Sequence, residues 1–271
     1  MLSADALRAH LLAAGLAGSV RTSREVSLRR YRHFAARDPR VLLGLDPDRD
    51  WPLAEVVALM ARRCGGSADP AVAVGGATID PDRTIAGLDA LAGRLRKVAD
   101  TGGTVLFGTG HPDRLLDFYA VLARSVSAAG GVVLTPARGR DVDMTTRFGV
   151  RTHRLDYVGG VALVQEGGAR PRASLTGVHS HSPLPVRLVL GAAAEAGGPL
   201  PELVVGDHGW VCGAGQLGFE AVGLADVDDP AVFVGVAEGR VAAVVPVEDG
   251  AEPGAYLPLA GYVRGRAGLP E

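Results

Sequence analysis

Apolar positions in the first hundred residues recur at steps of three and four. Leu7, Leu11, Leu12 and Leu16 follow Ser3-Ala-Asp-Ala and predict a helix behind a polar start. Residues 23–37 (SREVSLRRYRHFAAR) predict a second helix with arginines on its exposed face, and residues 52–63 a third that opens on Pro52. Residues 64–70 read as a loop, and a fourth helix runs from Pro81 to about Asp100. After residue 101 the rhythm changes. Short apolar runs at 104–107, 132–134, 157–164, 203–206, 221–225 and 241–247 predict strands. Helical patterns at 113–129, 183–196, 207–218 and 230–238 lie between them. Strand, glycine-rich turn, helix and strand in alternation is the pattern of a parallel sheet. The expected fold is therefore α/β, a Rossmann-like doubly wound and mostly parallel sheet. A helical N-terminal region (residues 1–100) would pack on a core of residues 101–271, in one compact domain. The Pro- and Gly-rich tail from Gly250 is expected to be irregular.

Composition narrows the partners. The chain has 271 residues, 47% hydrophobic and 21% charged, with a net charge of −2, which suits a folded protein with a large core. No basic footprint marks a nucleic-acid partner. No apolar stretch is long enough for a membrane span, and no leader precedes the first helix, so a cytoplasmic location is expected. Two cysteines, Cys64 and Cys212, make neither a disulfide framework nor a cysteine-built zinc site. Lys97 is the only lysine among 28 basic residues. The arginine excess reads as coding bias, and the arginines of the second helix read as a solvated face.

Chemistry is expected where an open parallel sheet binds ligands, outside the carboxyl ends of its strands. Four segments follow predicted strands there: Gly108-Thr-Gly-His-Pro112, Gly177-Val-His-Ser-His-Ser-Pro183, Gly206-Asp-His-Gly-Trp210 and Ala225-Asp-Val-Asp-Asp-Pro230. They hold four of the seven histidines. Gly108, Thr109, Gly110 and His111 precede a helix whose N–H groups favour an anion. This is neither a phosphate loop with Lys-Ser/Thr nor a full dinucleotide fingerprint, so no nucleotide cofactor is expected. His179 and His181, two apart in extended chain, point the same way. Ser180 and Ser182 precede a helix start, with Ser182 as a cap. Asp207 and His208 suit metal binding, acid/base work, or an aspartate orienting a histidine. Gly206 and Gly209 allow close backbone approach. Asp226 is the candidate of the last segment, while Asp228 and Asp229 read as helix caps. Cys212 reads as a small buried residue.

In this order GTGHP, HSHSP, GDHGW, LADVDDP and a final VPVEDG resemble the motifs of a family of actinobacterial phosphatases, over about residues 80–258. Cys212 stands where that family has a small residue. The resemblance implies a Rossmann-like α/β fold and hydrolysis of a phosphate ester. The expected substrate is a small phosphorylated or otherwise anionic metabolite, with self-association into a homo-oligomer left open. Asp207, His208, His179 and His181 are the catalytic candidates, either holding a divalent metal (Mg, Mn or Zn) or acting directly as acid and base. Gly108, Thr109, Gly110, His111, Ser180, Ser182, Gly209 and Asp226 are the phosphate-binding candidates. A sugar-phosphate isomerase or lyase, and a non-catalytic ligand sensor, would use the same groups.

Overall fold

A computed structural model describes residues 2–146, 149–166 and 177–271. The N-terminal part comprises α1 (Ala4–Ala13), β1 (Gly18–Ser23), α2 (Arg24–Ala35), α3 (Pro39–Leu42), α4 (Leu53–Cys64), β2 (Gly76–Ile79) and α5 (Pro81–Thr101). The core follows with β3 (Thr104–Gly108), α6 (Pro112–Ala128), β4 (Val132–Val133), β5 (Asp141–Thr146), β6 (Gly149–Val158) and β7 (Val161–Glu166). It ends with α7 (Leu184–Glu195), β8 (Leu203–Asp207), α8 (His208–Gln216), β9 (Ala221–Ala225), α9 (Pro230–Ala237), β10 (Ala243–Pro246) and α10 (Leu257–Ala267).

An eight-stranded sheet runs β10-β9-β8-β3-β7-β6-β5, with β4 beside the start of β3. From β10 to β7 the pairings are parallel, and β7-β6-β5 closes the sheet as an antiparallel meander. Every residue of β8 and β9 is buried, as parallel strands covered on both faces require. Helices α1, α5, α6 and α10 pack together as one group, and α7, α8 and α9 as another, with α2 and α4 stacked on α9. The α/β fold expected from the pattern is thus present.

Three expectations need correction. The stretch 157–164 is not one strand. Gly159 and Gly160 take φ of +58° and +85°, the left-handed pair that a two-residue hairpin turn demands, and split it between β6 and β7. The tail is not irregular: a 3-10 turn over Pro253–Tyr256 leads into α10, with Pro258 in its first turn and Leu259, Ala260, Tyr262 and Val263 buried. The first hundred residues are not purely helical, because β1 and β2 pair as an antiparallel ribbon. That ribbon lies at the carboxyl rim of the sheet, where Thr22 touches residues that follow β9 and β10. No helix among the described residues is long and apolar enough to cross a membrane.

Candidate active site

The strand order reverses between β3 and β8: β4 lies on one side of β3, while β8, β9 and β10 extend from the other. Helices leaving neighbouring strands at such a point go to opposite faces, and a crevice opens between them. Asp207, the last residue of β8, closes its floor. Its Oδ2 accepts from the Thr109 hydroxyl at 2.6 Å, and its Oδ1 from the Gly110 N–H at 2.6 Å. Thr109 Oγ1 in turn accepts from the His111 N–H at 3.0 Å. Asp207 is fully buried, so these bonds bind the two strand ends into one unit.

Four imidazoles converge above it. The His111 ring lies 3.9 Å from that of His179 and 4.3 Å from that of His208, and His181 stacks on His208 at 4.0 Å. The rings of His179 and His181 are 4.9 Å apart, on one side of their segment as an extended chain requires. His208 opens α8 with φ of +43°, a conformation a non-glycine residue keeps only where its surroundings hold it. Its Nδ1 faces Asp207 Oδ1 at 3.2 Å, and its Nε2 lies 2.8 Å from Asp229 Oδ2 and 3.2 Å from Asp249 Oδ2. The approach to Asp229 lacks hydrogen-bond alignment, which leaves Asp229 Oδ2 without a donor. His111 Nδ1 and His181 Nε2 are likewise buried without a hydrogen-bond partner, with Asp249 Oδ2 3.7 Å from His111 Nδ1.

Carboxylates form the other wall. Asp226 accepts from the Thr22 hydroxyl at 2.7 Å and the Val227 N–H at 2.6 Å. Glu248 accepts from the Thr22 N–H at 3.0 Å. Burial works against charge on His208, but Asp229, Asp207 and Asp249 together outweigh it and raise its pKa well above the ordinary value. Burial, and then the charge of His208, hold His111, His179 and His181 toward the neutral form. Burial alone would raise Asp229; His208 overrides it and brings the carboxyl down to about 2. Burial and the neighbouring Asp249 raise Asp226 well above the carboxylate range. Burial and Asp229 raise Asp228 to about 7.

Among the described residues, three sets of donors lie close enough to share a cation: His111-His181-His208, His208-Asp229-Asp249 and Asp226-Glu248-Asp249. The orphaned nitrogens of His111 and His181 and the orphaned oxygen of Asp229 fit such an ion. A histidine that gives Nδ1 to a carboxylate and presents Nε2 is the usual form of a metal-binding imidazole.

The structure brings His111, His179, His181, Asp207, His208 and Asp226 to one rim. Ser180 and Ser182 sit among them but turn inward to the chain. The Ser180 hydroxyl accepts from the Ser182 N–H, and Ser182 accepts from the Leu184 N–H at the start of α7. The room at the glycines is filled by protein. A Cβ at Gly108 would meet the Trp210 ring, at Gly206 the Gly108 carbonyl, at Gly110 the Ser180 carbonyl, and at Gly209 the carbonyls of His181 and Ser182. Close approach here is chain on chain, and it draws the HSHS segment over the start of α8. Asp229 is no helix cap by its side chain, and joins the cluster instead. Glu248 and Asp249 were missed, although the strand-end rule applied to the run at 241–247 points at both. Cys212 is buried, and burial pushes its thiol far up, as expected of a small core residue.

Comparison with known proteins finds relatives of this chain. A protein-family model described as Phosphatase matches residues 2–271. Phosphatase SCO2771 of Streptomyces coelicolor is 40% identical over 265 residues, which cover 97% of this chain and 95% of that protein.

Proposed function

The chain belongs to this Phosphatase family, and on that premise we propose that it hydrolyses the phosphate ester of a small metabolite at the switch-point cluster. The observation that carries the reading is the gathering of four imidazoles with buried carboxylates at one rim. The N-termini of α6, α8 and α9 meet there and favour phosphate oxygens. His111, His181, His208, Asp229 and Asp249 are the residues that would hold a divalent cation. When bound, that ion supplies Lewis-acid charge to the phosphoryl oxygens.

The chain's own groups divide the remaining work. Asp207 faces His208 Nδ1 and orients the ring so that Nε2 points to Asp229 and Asp249, and so is a positioning residue. His179 is the most exposed of the four histidines and is held toward its neutral form, so it can accept a proton at the mouth of the site. In this scheme water oxygen forms the new P–O bond while the ester P–O bond breaks. His179 takes the water proton and passes it to the departing alkoxide.

Release of inorganic phosphate from p-nitrophenyl phosphate tests the reading. Chelation is expected to lower turnover by at least about tenfold, and added Mg, Mn or Zn to restore it. Metal content of the isolated protein is expected to fall in Asp229→Asn. Turnover untouched by chelation would assign the cluster to direct acid/base work. No phosphate release from any phosphorylated metabolite would end the hydrolase assignment.

A further inference from the structure

Of the arginines of α2, Arg29 and Arg32 are exposed as expected, Arg30 is half-buried and Arg24 is buried. Val26, Arg29, Arg30 and His33 fall at i, i+3, i+4 and i+7 and share one side of the helix. Leu28, Tyr31 and Phe34 are buried on the other. The Tyr31 hydroxyl donates to the Val227 carbonyl at 2.6 Å, which pins α2 to the loop carrying Asp226, Asp228 and Asp229. The cationic stripe is therefore held in a fixed orientation beside the active-site rim. Together with Asp38, Arg40 and Asp228 it lines a groove of about 300 Å³. Three guanidiniums face two carboxylates there. Asp38 is occupied by Arg40, which reaches both of its oxygens, and by His33 at 3.1 Å. Arg30 sits 3.4 Å from Asp228, whose chain neighbour Asp229 contacts His208. The charge of Arg30 also reaches His181 and Asp229. Arg29 has no hydrogen-bond or ion-pair partner among the described residues.

We infer that this groove is a second anion subsite, which takes a phosphate or carboxylate group at the far end of the substrate. The inference rests on the phosphatase reading of the cluster and names its substrate class: bisphosphates and phosphorylated acids, in preference to phosphate esters of neutral molecules. An unspent guanidinium is suited to either oxyanion, since its planar fork matches both. A groove of this volume has room for such a group and for part of the molecule that carries it. Anchoring the remote end would hold the scissile phosphate against the histidines, so the binding energy would serve the reaction.

The test compares wild type with Arg29→Ala and Arg29→Lys on three substrates: a sugar bisphosphate, a phosphorylated carboxylic acid and p-nitrophenyl phosphate. Arg29→Ala is expected to lower kcat/KM on the doubly anionic substrates by about 10- to 100-fold, the worth of one charge-assisted bond, and to leave p-nitrophenyl phosphate unchanged. Arg29→Lys is expected to recover part of the loss. An effect confined to the bisphosphate assigns the groove to phosphate, and one confined to the acid assigns it to carboxylate. Equal effects on all three substrates, or none on any, overturn the subsite. Thermal stabilisation by the bisphosphate is read in parallel and should shrink in Arg29→Ala. If no substrate releases phosphate, the hydrolase reading fails, and the thermal shift alone decides the groove.

Discussion

Asp207→Asn is expected to lower kcat/KM for phosphate ester hydrolysis about 10- to 100-fold while the protein stays folded. The reason lies in what each atom of Asp207 does. Oδ1 receives both the Gly110 N–H and the ring of His208, and Oδ2 receives the Thr109 hydroxyl. An asparagine carbonyl can keep the Oδ1 bonds. Its amide then meets the Thr109 oxygen, which rotates to accept. The shape survives, but the negative charge that helps to hold His208 in its charged form is gone. Alanine is the poorer probe. It leaves three buried donors without an acceptor, at about 1–3 kcal/mol each, so lost activity would be mixed with lost stability. Steady-state kinetics with a thermal melt separate the two. An asparagine variant that keeps more than a tenth of wild-type turnover would remove Asp207 from the reaction.

The second large effect is expected at Gly110→Ala. The added methyl would lie 2.1 Å from the Ser180 carbonyl and 3.1 Å from Asp207 Oδ1. The first is backbone, and the second belongs to a buried carboxylate held by its hydrogen bonds to Thr109 and Gly110. The Ser180 N–H also donates to the Gly110 carbonyl at 2.8 Å, so the two segments cannot part without breaking that bond. The HSHS segment must move, taking His179 and His181 out of register with His111 and His208. A displacement of about 1 Å in a reacting group can cost about 100-fold in rate. Overpacking of this kind also costs roughly 1–3 kcal/mol of stability. Gly191→Ala on α7 serves as the control, since nothing lies within 4 Å of its added methyl. It should keep full activity and melt no lower than wild type. Equal behaviour of the two variants would mean that the close approach at Gly110 positions nothing.

The parallel half of the fold was legible because its strands are continuous apolar runs, and those runs exist because both faces are covered. Val204 and Val222 need no alternation to be recognised. The ribbon of β1 and β2 was not legible. It is short, and its exposed and half-buried positions give no clean alternation. The hairpin at Gly159 was hidden because two apolar strands and two glycines read as one segment. Four of the five segments that form the rim followed from a topological rule, since His and Asp after a strand end have few structural reasons to be there. Asp229 was misread because aspartate before Pro230 is the local signature of a helix start. Only tertiary structure brings His208 Nε2 against it. Asp249 follows the last strand and was open to the same rule; only its contact with His208 Nε2 needed the tertiary structure.

The spacing of these segments along the chain has a consequence for biosynthesis. The cluster draws on residues 111, 179–181, 207–208, 226–229 and 248–249, and Thr22 buttresses its acidic wall from near the start of the chain. Contacts spanning some two hundred residues are among the slowest to form, because loop closure must precede them. A nascent chain therefore has no complete centre until β10 and the residues after it leave the ribosome. A translation product truncated before β10 would lack Glu248 and Asp249 and so carry most of the sheet but an incomplete cluster.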